Sequence, residues 1–187
     1  MELRNICKSY DGVSVLEDIS LEIEEGGRYV ISAPSGRGKT TLLRIMMGLE
    51  QPDGGELTGI SGSISAVFQE DRLPAEFSTF RCVKMALPGR VSKTVGREHL
   101  AELGLGEHTE KPAKELSGGM KRRVALCRAV LSGADTIYLD EPFTGLDTET
   151  KKSVAGYINR HCRGRTLVVV SHSSEDAMLL NAKEIRI

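Results

Sequence analysis

Apolar residues at Val13 and Leu16 lead into Ile19, Leu21 and Ile23, an every-second-residue pattern whose partners Ser20, Glu22 and Glu24 face outward. The N-terminal part therefore reads as half-buried strands. Gly26-Gly27 marks a turn and Arg28–Ser32 reads as a strand. A helix is predicted after Lys39, carrying Leu42, Leu43, Ile45 and Met46 and ending near Gly48, with residues 51–55 as a loop. Residues 64–68 form a short predicted strand that ends at Gln69. From 71 to 115 the pattern changes to helical pieces broken by Pro74, Pro88, Gly89, Gly104 and Pro112, a candidate subdomain. Residues 116–131 read as one helix, because Met120, Val124, Cys127 and Leu131 share a face. Strand (137–139), helix (151–161), strand (166–170), helix (174–180) and strand (184–187) follow. This alternation implies an α/β fold with a mostly parallel sheet and ligands at the carboxyl ends of its strands.

One stretch in this pattern carries chemistry. Residues 33–41, Ala-Pro-Ser-Gly-Arg-Gly-Lys-Thr-Thr, lie between the apolar run Tyr29, Val30, Ile31 and a helix. Ser35, Gly36, Arg37 and Gly38 make a permissive turn whose backbone N–H groups converge at a helix start, where the helix dipole favours an anion. Lys39 is placed to reach the outer phosphates of a nucleotide, the Thr40 hydroxyl to ligate Mg²⁺, and Thr41 continues the helix. Ala33 stands where the first glycine of such a loop is expected. If that position needs positive φ, alanine costs about 1–2 kcal/mol there.

Composition narrows the setting. The chain has 187 residues, enough for one domain with a small insertion and for a core that needs no disulfide or metal staple. Lys and Arg total 25 against 26 Asp and Glu, which argues against broad attraction to nucleic acid or a membrane surface. Cys7, Cys82, Cys127 and Cys162 lack metal-ligand spacing and fit reduced cytosolic thiols. No apolar run reaches the length of a membrane helix, so work at a membrane would need another chain to do the spanning.

Two further motifs define the nucleotide chemistry. Asp140 and Glu141 follow the apolar strand, where Asp140 could hold Mg²⁺ and Glu141 could polarise an attacking water. Ser117-Gly118-Gly119-Met120 opens a helix with a hydroxyl and close backbone approach, a second anion site or an ordinary serine cap. Two phosphate-binding helix starts with one acidic pair suit a triphosphate held between two copies. The basic residues Lys121, Arg122, Arg123 and Arg128 read as a solvated helix face.

With these motifs in this order the chain resembles, over nearly its whole length, the nucleotide-binding subunit of ABC transporters. The matching parts are the Walker A loop 33–41, Gln69 of the Q-loop, the signature 116–120 and the Walker B run 137–140. Glu141 follows as the catalytic glutamate, Gly145-Leu146-Asp147 as the D-loop and His172 as the switch histidine. Tyr10 stands where the family stacks an aromatic on adenine. The resemblance implies a P-loop NTPase fold with an antiparallel N-terminal β subdomain and an inserted α-helical subdomain. As a single ABC ATPase domain, the chain divides into the β subdomain and P-loop core (1–70), the helical subdomain (71–116) and the signature helix with the rest of the core (117–187). It implies ATP and Mg²⁺ as cofactors, with Thr40, Gln69 and Asp140 on the metal. It also implies a homodimer or a paired second ATPase subunit, and transmembrane permease subunits contacted through the helical subdomain. The location implied is the cytoplasmic side of the cell membrane, peripherally bound.

The pattern departs from the family in three places. Ala33 replaces a glycine and Met120 replaces the usual glutamine, which together predict slow turnover or weak dimerisation, and the chain stops soon after His172, which predicts a minimal engine. Leu73, Phe77, Phe80, Val83 and Met85 offer an apolar surplus for a partner helix. Residues 67–74 resemble importers of the nitrate, sulfonate and taurine type. A soluble ABC ATPase of DNA repair or translation, and an ATP-gated module without hydrolysis, are the alternative readings.

Overall fold

The computed structural model describes residues 1–34, 36–59, 62–87 and 92–187. Two sheets organise them. An antiparallel sheet has the order β2 (Val13–Glu22), β1 (Glu2–Tyr10), β4 (Gly54–Thr58). A second sheet is parallel throughout, in the order β5 (Ile64–Val67), β6 (Thr136–Asp140), β7 (Thr166–Ser171), β3 (Arg28–Ser32), β8 (Lys183–Arg186).

The central strands are apolar at nearly every position because both sheet faces are covered. Leu167 and Val169 of β7 point into one core with α4 (Gly118–Leu131) and α5 (Thr148–His161), while Val168 and Val170 point into the other with α1 (Lys39–Met46) and the N-terminal strands. Parallel strands need crossovers, and the helices supply them. The remaining helices are α2 (Thr79–Lys84), α3 (Lys93–Glu102) and the short α6 (Glu175–Leu179).

β4 begins inside the stretch that the sequence reads as a loop. A side chain at Gly55 (φ +88°) would start 2.4 Å from the carbonyl oxygens of Arg4 and Asn5, so only glycine lets β4 lie against β1. The apolar surplus expected in the helical segment is mostly consumed. Phe80 and Val83 are buried, Leu73 and Phe77 pack half-buried against the core shared with α4, and Met85 alone of the five is exposed. Helices of this length cannot be stable alone, so their apolar faces are spent on the core. All four cysteines are free thiols, and Cys82, Cys127 and Cys162 are buried. Among the described residues no helix is long and apolar enough to cross a membrane.

Candidate functional site

The carboxyl ends of β3 and β6 open on one cavity of about 430 Å³, within the usual range for a bound ligand. Tyr10, Gly36, Gly38, Lys39, Thr40, Thr41, Gln69, Asp140 and Glu141 line it. Ser35, also expected here, lies outside the described residues, and Arg37 is exposed on the loop. Gly38 caps α1 in the left-handed conformation, φ +72°. A Cβ on it would meet the Val15 carbonyl oxygen at 2.7 Å, which leaves no room for any other residue.

Ala33 does not adopt positive φ. Positive values among the described non-glycine residues occur at Asn5, Asp11, Asp18, Arg72, Glu141 and Asn181. The left-handed positions of the loop fall on its glycines, Gly36 and Gly38, so the expected strain at Ala33 is absent. Its carbonyl instead accepts a hydrogen bond from Lys39 Nζ at 2.7 Å, and the Pro34 carbonyl accepts another at 3.1 Å. Lys39 is buried, with its ammonium 4.0 Å from Glu141 Oε1.

Thr40 Oγ1 donates to Asp140 Oδ2 at 2.9 Å. Asp140 is buried, and desolvation raises its pKa against the pull of the Thr40 hydroxyl, Arg122 and Lys39. A hydroxyl, a desolvated carboxylate and the Gln69 amide are hard oxygen donors facing one space, which fits Mg²⁺ and not a softer ion. Glu141 follows β6 with φ +48°, a left-handed conformation costing about 1–3 kcal/mol and typical of functional positions. Its Oε2 lies 2.8 Å from His172 Nδ1. Tyr10 lines the cavity and is exposed, its hydroxyl bonding Glu50 and the Lys8 ammonium lying 5.5 Å from its ring centroid.

The signature residues stand elsewhere. Ser117, Gly118, Gly119 and Asp147 line a separate cavity of about 500 Å³ that shares no residue with the first. Ser117 caps α4, its Oγ accepting from Met120 N at 3.3 Å, and Asp147 caps α5 through Thr150. Two hydrogen bonds from Thr150 lower the Asp147 pKa. Asp147 therefore belongs with the signature helix and not with the phosphate loop of its own chain. Met120 packs half-buried against the core.

The basic run on α4 is not a solvated face. Arg122 is buried, donating to the Phe68 carbonyl at 2.6 Å and the Gln69 carbonyl at 2.5 Å, with Nε 3.3 Å from Asp71. Arg123 donates to the Leu103 carbonyl at 2.7 Å, and Arg128 reaches the Arg72 carbonyl. Guanidinium groups with planar forks suit this use, and a Lys-Arg-Arg run carries no signal that would reveal it. Glu50, which anchors Tyr10, was equally silent in the sequence.

A family model described as "ABC transporter" matches residues 16–144. A spermidine/putrescine import ATP-binding protein of Spiroplasma citri is 35% identical, the alignment covering 99% of this chain and 58% of that protein. An aliphatic sulfonates import ATP-binding protein of Rhizobium johnstonii is 40% identical, covering 96% of this chain and 70% of that protein. The chain thus spans less than two thirds of the first relative's length. Among solved structures, a dimeric ATP-binding cassette in a post-hydrolysis state bound to ADP and Pi superimposes with a TM-score of 0.84 at 26% identity, covering 100% of this chain and 93% of that one.

Proposed function

The chain belongs to the ABC transporter family, and on that premise we propose that it is the ATP-hydrolysing subunit of a transporter, coupling closure of an ATP-bound dimer to solute movement through separate membrane subunits. The observation that carries this reading is the division of the site. The phosphate loop with its acidic residues and the signature serine with Asp147 sit in two cavities of one chain, so a nucleotide engaging both needs a second copy or a paired ATPase subunit. A dimeric cassette bound to ADP and Pi among the similar solved structures supports this reading.

In this reading Tyr10 stacks on adenine, and residues 35–41 hold the phosphates. Lys39 turns from the Ala33 and Pro34 carbonyls to the outer phosphate oxygens, and Ser117, Gly118, Gly119 and Asp147 of the other copy complete the enclosure. Bound Mg²⁺, held by Thr40, Asp140 and Gln69, would supply neutralisation of phosphate charge. Glu141 accepts a proton from the attacking water as the water oxygen bonds to the γ-phosphorus and the bond from that phosphorus to the ADP oxygen breaks. His172 holds Glu141 Oε2, leaving the other oxygen directed into the site. Loss of the γ-phosphate then releases the dimer.

The helical segment, treated as a subdomain of residues 71–116 between the 1–70 and 117–187 parts of the core, is the proposed contact for the permease. That contact sets the chain on the cytoplasmic face of the membrane as a peripheral subunit. The two relatives named above import different cargo, and the sulfonate type matches the resemblance of residues 67–74. Nucleic acid is not among the proposed partners.

Purified protein should release phosphate from Mg-ATP, and Glu141→Gln and Lys39→Ala should each abolish release. Capture from native membranes in mild detergent should recover a multi-span membrane protein. Turnover that survives Glu141→Gln, or recovery of ribosomes or nucleoprotein in place of a membrane protein, would overturn the proposal.

A further inference from the structure

Away from the nucleotide cavity, α3 and α5 bring two histidines and a glutamate together. His99 and Glu102 lie one turn apart on α3, and His161 ends α5. One ligand atom from each lies within 4.8 Å of the others. The two imidazole rings are tilted with centroids 4.4 Å apart.

Each group is already oriented. The hydroxyl of the fully buried Tyr157 holds His99 Nδ1 at 2.8 Å, which fixes the ring and leaves Nε2 as its available nitrogen. His161 Nε2 sits 2.7 Å from Glu102 Oε2, while Arg160 occupies Glu102 Oε1 at 2.5 Å.

We propose that His99, Glu102 and His161 form a binding site for a divalent transition metal of the zinc type, spanning α3 and α5. Two imidazole nitrogens and one carboxylate oxygen are the donor set that zinc accepts, and the half-exposed position leaves a fourth place for water. Tetrahedral zinc with bonds of 2.0–2.1 Å needs ligand atoms about 3.3 Å apart, so the three side chains must close by rotamer-scale movements. The metal takes the place of the hydrogen bond between His161 and Glu102. Tyr157 supplies the outer hydrogen bond that such a ligand needs. Occupation strengthens a contact between the helical segment and α5 that already includes the Glu102 ion pairs, the His99–Tyr157 hydrogen bond and apolar packing in the shared core.

The test uses the full chain without nucleotide, titrated calorimetrically with zinc chloride and spectroscopically with cobalt chloride. A single ion should bind, with the melting temperature rising as zinc concentration rises. His99→Gln and His161→Gln should each weaken binding by at least about 10-fold. Cys7→Ser should leave it unchanged. Both histidine variants are first shown to melt normally without metal, so that loss of binding is not loss of fold. Bound cobalt should show d–d bands without a thiolate charge-transfer band. No binding, wild-type binding by either histidine variant, or a thiolate band would overturn the site and leave His161–Glu102–Arg160 as an ion pair only.

Discussion

Arg122→Met tests the account of how the signature helix is tied to Gln69. The substitution keeps a long apolar stem but removes two charge-assisted hydrogen bonds, at 2.6 and 2.5 Å, to the Phe68 and Gln69 carbonyls. Each such bond contributes about 1.5–3 kcal/mol. It also strands Asp71, whose carboxylate is 18% exposed and whose pKa is already raised by burial against the pull of Arg122. Breaking a buried pair costs about 3–5 kcal/mol, and the partial exposure of Asp71 puts the expected loss near the low end, about 3 kcal/mol. For a chain of this size that is a fall in Tm of about 6–12 °C. The sign with pH follows from Asp71. A carboxylate whose folded pKa is raised disfavours the folded state above that pKa and costs nothing below its unfolded value. The deficit of Arg122→Met should therefore be largest at neutral pH and narrow as pH falls toward 4. Adding Asp71→Asn should recover part of the loss. Thermal unfolding across pH with a steady-state ATPase assay reads both consequences, and KM for Mg-ATP should rise because Gln69 loses its backbone anchor. A loss under about 1 kcal/mol with unchanged KM would refute the clamp and restore a solvated basic face.

Ala33→Gly should leave ATPase activity unchanged and lower stability by about 0.5–1 kcal/mol, since the position has no positive φ to relieve; a gain in turnover would show strain at Ala33. Gly38→Ala combines φ +72° with a 2.7 Å approach to the Val15 carbonyl, so ATP affinity should fall at least about 10-fold by calorimetry. Asp147→Ala should lower Tm at neutral pH, because Asp147 is held below the ordinary carboxylate pKa by Thr150. A depressed folded pKa stabilises above the unfolded value and loses that contribution as pH falls through the folded one. The difference from wild type should therefore shrink below about pH 3.9. A constant difference across that range would mean that the cap acts without its charge.

Much of this site is legible in the order of residues because its chemistry is local. A glycine-rich turn before a helix, or an acidic pair after an apolar strand, carries its geometry within a few positions. Lys39, Thr40, Asp140 and Glu141 are therefore found in one cavity, as their motifs imply. What stayed hidden depends on distant partners. Gly54 and Gly55 look like a loop until β1 is beside them. Arg122 looks solvated until the carbonyls of residues 68 and 69 are folded against it. The apolar residues of the helical segment look surplus until the core of α4 takes them. The two helix starts with a single acidic pair already suggested a site shared between copies, and the structure places Ser117 and Lys39 in separate cavities of one chain.

The most direct test of that half-site is the mass of Glu141→Gln in solution by light scattering, with and without saturating Mg-ATP. A dimer that forms only with ATP, and is lost when Ser117→Arg is added, is the result predicted. A monomer at saturating Mg-ATP, with binding of the nucleotide confirmed in the same sample, would contradict the account.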